Sequence, residues 1–175
     1  MAKSSKDQIE QDEKKILSEL IENSKENIDT IAKRCRFSRQ KAWRMVKQVE
    51  AKGLIWGYTA IVDREKLGLQ KFVLSIKRSD KAVEKKSMTE IVYDRLEKTI
   101  SKLGVTIESS YFIYGEYDWI LIFIAENLND AKKFTDILLS AYPGVVDKVN
   151  LSQILYIQRD HRIANPDQEK LKEFL

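Results

Sequence analysis

From residue 71 onward, strand-like and helix-like stretches follow one another in a fixed order, and few folds accommodate it. Phe72, Leu74 and Ile76 alternate with Val73, Ser75 and Lys77, the period of a half-buried strand. Ser87–Leu103 carries Ile91, Val92, Leu96, Ile100 and Leu103 at helical spacing, after a polar loop over Lys77–Lys86. Val105–Tyr114 and Tyr117–Ala125 read as two strands around a short turn containing Gly115. Asn129 is the expected cap of a helix running to Tyr142, with Ala131, Phe134, Ile137, Leu138 and Ala141 inward, and Pro143-Gly144 stops it. Val145–Gln158 reads as the last strand.

The resulting order, β-α-β-β-α-β, is that of the ferredoxin-like arrangement, a four-stranded antiparallel sheet with two helices on one face. The residues before it have another texture. After a polar start over residues 1–11, Asp12 stands where a cap or first-turn acid belongs, and Ile16, Leu17, Leu20 and Ile21 follow at helical spacing. Ile28, Ile31, Ala32 and Cys35 share one face of a second helix, from about Asn27 to Cys35. Ser38 caps a third helix that reaches about Lys52, with Gly53 as the residue after its end. Leu54–Val62 is rich in β-formers and reads as a strand or wing. The fold class is therefore α+β: an N-terminal winged helix-turn-helix domain over 1–62, a linker at 63–70, a ferredoxin-like βαββαβ domain over 71–161, and a charged tail at 162–175.

Charge separates the same two parts. Met1–Val62 holds 13 Lys/Arg against 9 Asp/Glu, whereas Asp63–Leu175 holds 18 of each, so the whole net charge of +4 lies in the first part. Within it, Lys33–Lys52 has eight basic residues and one acid, Glu50. Such a patch attracts polyanions, although a solvated Lys/Arg-rich helix face would look the same. The third helix decides more. At about 100° per residue, Ala42, Met45, Val46 and Val49 fall on one side, while Gln40, Arg44 and Lys47 fall opposite, flanked by Lys41 and Trp43. Arg can bond guanine in pairs and Gln adenine. Ser38 and Arg39 sit at the helix N-terminus, where free N–H groups favour phosphate. Ser38, Arg39, Gln40, Lys41, Trp43, Arg44 and Lys47 are thus the candidate DNA-binding set. Each has a plainer alternative: Ser38 as cap only, Trp43 as cover for the wing, Arg44 paired with Glu50 or Glu19.

The segments Asp12–Leu17, Ile31–Arg34, Phe37–Lys47 and Gly53–Asp63, with Tyr114-Gly115-Glu116-Tyr117-Asp118 and Tyr142-Pro143-Gly144-Val145 later, resemble the Lrp/AsnC family of transcription regulators over nearly the whole chain. The most specific piece is Gly-x-Ile-x-Gly-Tyr-x-Ala-x-Val-Asp at 53–63. The resemblance implies a sequence-specific double-stranded DNA-binding regulator that is a homodimer through its sheet, with tetramers or octamers built from dimers. It also implies an amino-acid effector near Gly115, Tyr117 and Asp118; the other reading of these three is an ordinary hairpin turn. Three departures stand out. Arg36 occupies a turn position where the family usually has Gly, the stretch 79–103 is long, and Val149, Asn150 and Leu151 replace small hydroxyl residues.

Other classes fit less well. A metabolite-sensing module with incidental nucleic-acid contacts is the alternative. RNA binding by Tyr111, Tyr114, Tyr117 and Trp119 conflicts with the neutral charge of their domain, and those aromatics suit a sheet interface between subunits. The reading is not an enzyme: Cys35 and His161, the single cysteine and histidine, lie in different domains, and no metal spacing or phosphate loop accompanies them, so no cofactor or metal is expected. One cysteine permits no internal disulfide, no signal core opens the chain, and no apolar run spans a bilayer, so the expected setting is the cytoplasm, away from membranes.

Overall fold

The computed structural model describes residues 2–80 and 100–175. It divides into two compact units, Met1–Ile61 and Val62–Leu175, each with its own core.

The first unit consists of α1 (Ala2–Glu22), α2 (Ile28–Cys35) and α3 (Arg39–Ala51). Helix α1 starts ten residues before the expected cap at Asp12, because residues 2–11 contain no Gly or Pro and continue the helix as a polar first half. Asp12 is consequently a mid-helix residue, and it is buried. Ile16 is fully buried, and Leu17 and Leu20 pack beside it. Ile21, expected inward, is exposed; five residues after Ile16 it has turned about 140° away from the core. Asn27 caps α2 by accepting from Thr30 N at 2.8 Å. The core is closed by Ile31, Ala32 and Cys35 from α2 and by Ala42, Met45 and Val49 from α3. Burial raises the pKa of the Cys35 thiol, as for a small core residue.

Two buried carboxylates fasten α1 to α3. Asp12 accepts from Lys41 Nζ at 2.6 Å near the start of α3, and Glu13 accepts from Gln48 Nε2 at 3.0 Å and from Lys52 Nζ near its end. The Lys41 ammonium holds the Asp12 carboxyl below its usual pKa. Leu54–Val62 forms no strand, contrary to expectation. A strand requires a ladder, and among the described residues none lies alongside; Trp56 is fully exposed. Ile55 packs on the helical core, and Tyr58 Oη donates to Glu50 at 3.0 Å.

The second unit is an antiparallel sheet of β1 (Gln70–Arg78), β2 (Thr106–Phe112), β3 (Trp119–Ala125) and β4 (Val146–Ile154), in the order β2-β3-β1-β4. Helix α4 (Leu128–Ala141) packs on one face, and the antiparallel register runs through Leu74, opposite both Leu121 and Leu151. This is the ferredoxin-like arrangement. Phe72, Leu74, Ile76, Leu121, Phe123, Phe134 and Leu138 fill the core, with the Phe123 ring 5.4 Å from Phe72 and 4.7 Å from Phe134. Asn127, not Asn129, caps α4, accepting from Asp130 N at 3.0 Å; β3 ends at Ala125, so the helix begins sooner than the spacing suggests. β1 continues through Arg78 and so takes the first residues of the expected loop. The helix expected over 87–103 lies outside the described residues except for its end, which closes in a 3-10 turn at Ser101–Leu103. A short hairpin, β5 (Arg159–Asp160) with β6 (Ile163–Ala164), and a 3-10 segment at Glu169–Phe174 finish the chain.

Behind the sheet, Lys71 is nearly enclosed and pairs with Glu108 at 2.7 Å and Asp160 at 3.1 Å, while Arg64 reaches Glu108 at 3.0 Å. Burial alone would lower the Lys71 pKa; the two carboxylates outweigh it and the net shift is upward. This cluster ties the segment after residue 63, strands β1 and β2 and the C-terminal hairpin into one unit. Because the two cores share no residues, Phe123→Ala is expected to destabilise only the sheet unit, by about 3–5 kcal/mol. Calorimetry should show its transition lowered and that of the helical unit in place; a joint shift would show that the cores are coupled.

Candidate nucleic-acid interface

The turn between α2 and α3 sets how the third helix is presented. Arg36 ends α2 in the left-handed region, φ 59° and ψ 41°, its N–H bonded to Lys33 O at 3.1 Å, and Phe37 N closes on Ala32 O at 2.8 Å. The position thus has the positive φ that suits glycine, and arginine holds it at a cost of about 1 kcal/mol. Ser38 then caps α3, accepting from Lys41 N at 3.2 Å.

Ala42, Met45 and Val49 are buried and Val46 is half-buried, while Arg39, Gln40, Trp43, Arg44 and Lys47 are exposed. Ser38, Arg39, Gln40, Lys41, Trp43 and Arg44 meet around an open groove of about 540 Å³, with Ile28 as its apolar wall. Lys47 lies outside it. Among the described residues the Gln40 and Arg44 side chains make no hydrogen bond or ion pair, so their polar ends are available. Neither partner considered for Arg44 takes it: Glu50 holds Lys47 at 2.8 Å, and Glu19 holds Arg34 at 3.4 Å. Lys47 and Tyr58 keep the Glu50 carboxyl below its usual pKa. Arg39 is exposed and loosely paired with Asp29 at 3.4 Å.

Lys41 and Trp43 behave differently from a uniform basic face. Lys41 lies over the Phe37 ring, 4.1 Å from its centroid, and its ammonium is bound by Asp12. Its charge is therefore engaged inside the unit. Trp43 is 58% exposed, and no wing strand covers it.

In the second unit the turn 113–118 is closed by Ile113 N bonding Asp118 O at 2.9 Å and Asp118 N bonding Ile76 O at 3.0 Å. The Asp118 carboxylate accepts from Arg78 N at 2.9 Å and faces Lys77 Nζ at 3.2 Å; the Arg78 N–H is the main cause of its lowered pKa. Gly115 has neither a positive φ nor a close neighbour that a side chain would meet, so the turn does not require glycine there. Tyr114 is fully exposed and Tyr117 half-buried. Trp119, named in the sequence with Tyr111, Tyr114 and Tyr117, is buried, stacks on Phe112 at 5.1 Å and donates to Ser110 Oγ at 2.8 Å. Among the described residues no group of three His, Cys, Asp or Glu could hold a metal ion, and no helix is long and apolar enough to cross a membrane.

Residues 13–55 match the family model for winged helix-turn-helix DNA-binding domains. An uncharacterised helix-turn-helix-type transcriptional regulator of Pyrococcus furiosus is 28% identical over 154 residues, 87% of this chain and 95% of that protein. An AsnC family transcriptional regulator from Agrobacterium tumefaciens superposes with a TM-score of 0.63 at 19% identity, covering 85% of this chain and 92% of its own. The chain carries a winged helix-turn-helix DNA-binding domain and has the fold of that AsnC family regulator. A transcriptional regulator of Neisseria meningitidis, solved in complex with L-Met, has the same fold, with a TM-score of 0.65 at 22% identity over 94% of this chain and 97% of its own.

The Asp118 contacts carry a pH signature. Its pKa is lowered in the folded chain, so its stabilisation is complete above the ordinary value of 3.8 and is lost as pH falls below it. Asp118→Asn is expected to lack that part of the pH dependence of the sheet unit. Denaturant midpoints across acidic pH check this, and an unchanged profile would place the stabilisation elsewhere.

Proposed function

We propose that the chain is a sequence-specific double-stranded DNA-binding transcription regulator acting as a homodimer or larger assembly of this chain. The observation that carries this reading is the outward face of α3. Gln40 and Arg44 stand beside an open groove with their polar ends unengaged, while the opposite face of the helix is sealed in the core. Gln40 and Arg44 read base edges; Ser38 and Arg39 hold the phosphate register at the helix N-terminus, and Lys47 exchanges Glu50 for phosphate. Trp43 presents an apolar surface suited to a thymine methyl group. Lys41, held by Asp12, acts by placing the helix.

Self-association is supported by the sheet face opposite α4, where Val73 lies beside Ile122 and Ser75 beside Ile120, all half-buried with no helix of the described residues over them. A two-fold dimer puts two third helices in successive major grooves and makes the recognised site nearly palindromic. An amino-acid effector near Gly115, Tyr117 and Asp118 rests on the likeness to the Neisseria regulator; an α-ammonium at Asp118 would have to displace Lys77. Calorimetry with a panel of amino acids tests it, and ligand binding without duplex binding would favour a sensing module instead.

Selection of bound sequences from random duplex DNA is the deciding experiment. It should recover a two-fold-related pair of half-sites. Arg44→Ala should weaken binding to that site by about 1–3 kcal/mol and relax the preference at one base position in each half-site. Full discrimination by the variant would remove Arg44 from base reading.

A further inference from the structure

We propose that Arg36, in the turn before the recognition helix, is a phosphate anchor of the DNA complex. This rests on the reading of α3 as the DNA-contacting helix. The backbone needs a residue with positive φ at this position, and among the described residues the arginine side chain has no partner. The contacts that close the turn, Arg36 N to Lys33 O and Phe37 N to Ala32 O, are main-chain bonds that glycine would make without strain. The strained residue therefore points to a use outside the fold.

The charges around it narrow that use. Of the eight basic residues over 33–52, Arg34, Arg39, Lys41, Lys47 and Lys52 are paired with Glu19 and Glu26, Asp29, Asp12, Glu50 and Glu13. Among the described residues Lys33, Arg36 and Arg44 have no such partner. A phosphate can take these three without breaking an existing bridge. Arg36 is exposed and stands two residues before the Ser38 cap, at the end of α3 that enters the groove in helix-turn-helix docking. A guanidinium there can take a phosphate through two hydrogen bonds. Such a contact adds affinity without reading sequence.

The test uses the full chain and a random-sequence duplex several helical turns long, with binding measured by fluorescence anisotropy between about 50 and 200 mM salt. Arg36→Gly should melt at a higher temperature than the wild type and bind more weakly, with a slope of log affinity against log salt shallower by about 0.9 for each bound protomer. Arg36→Gln, which removes the charge and retains a side chain at positive φ, should lose the same increment. Arg36→Lys should keep the wild-type slope. A wild-type slope in Arg36→Gly and Arg36→Gln, or an equal loss in Arg36→Lys, overturns the proposal. A wild-type chain that binds no duplex at the lowest salt overturns the function reading beneath it, a result distinct from any difference among the variants.

Discussion

Two adjacent acids in the middle of α1 decide where α3 lies. Asp12 and Glu13 are both buried, and burying a carboxylate without a partner is strongly unfavourable, so each must keep its bonds to α3. Asp12 holds Lys41 in the first turn of α3, and Glu13 holds Gln48 and Lys52 at the other end. Apolar packing of Ile16 against Ala42 and Val49 is non-directional and would tolerate some rotation of α3 about its axis. Paired bonds at both ends of the helix do not. Gln40 and Arg44 consequently point outward with a definite azimuth, which a base-reading helix requires.

The same arrangement redistributes charge. A basic segment read as a single cationic face is, in the folded chain, a set of cations with different tasks. Lys41 and Lys52 build the fold, Lys47 is held by Glu50, and Arg36 and Arg44 remain open. The sheet unit follows a similar principle at Lys71, whose charge is satisfied from two sides by Glu108 and Asp160. At Asp118, too, a residue singled out for a ligand is engaged by the protein itself, through the N–H of Arg78.

Much of this was legible in the sequence because it depends on local pattern. Helical periodicity placed α2 and α3 and the inward faces of α3 and α4; the side-chain cap at Ser38 matched composition; alternation located β1. Some of the departures are decided by partners distant in sequence. Asp12 looked like a cap because its neighbours look like a helix start, and only Lys41, 29 positions later, explains its burial. Leu54–Val62 has strand composition but no adjacent strand among the described residues, and composition cannot supply one. Trp119, named in the sequence beside three tyrosines, lies on the inward face of β3 with Leu121 and Phe123 and donates to Ser110. Arg36 was legible as a mismatch with glycine, and its backbone angles show that the mismatch is real.

The face of α3 that carries Gln40 and Arg44 has a consequence for how such a protein changes over time. Those side chains support no part of the interior, and the residues that fix the helix lie on its other side or at its ends. With α3 as the DNA-contacting helix proposed above, specificity can drift by single substitutions on a scaffold that stays intact. Two chains with this framework could regulate unrelated operators while their interiors remained nearly interchangeable.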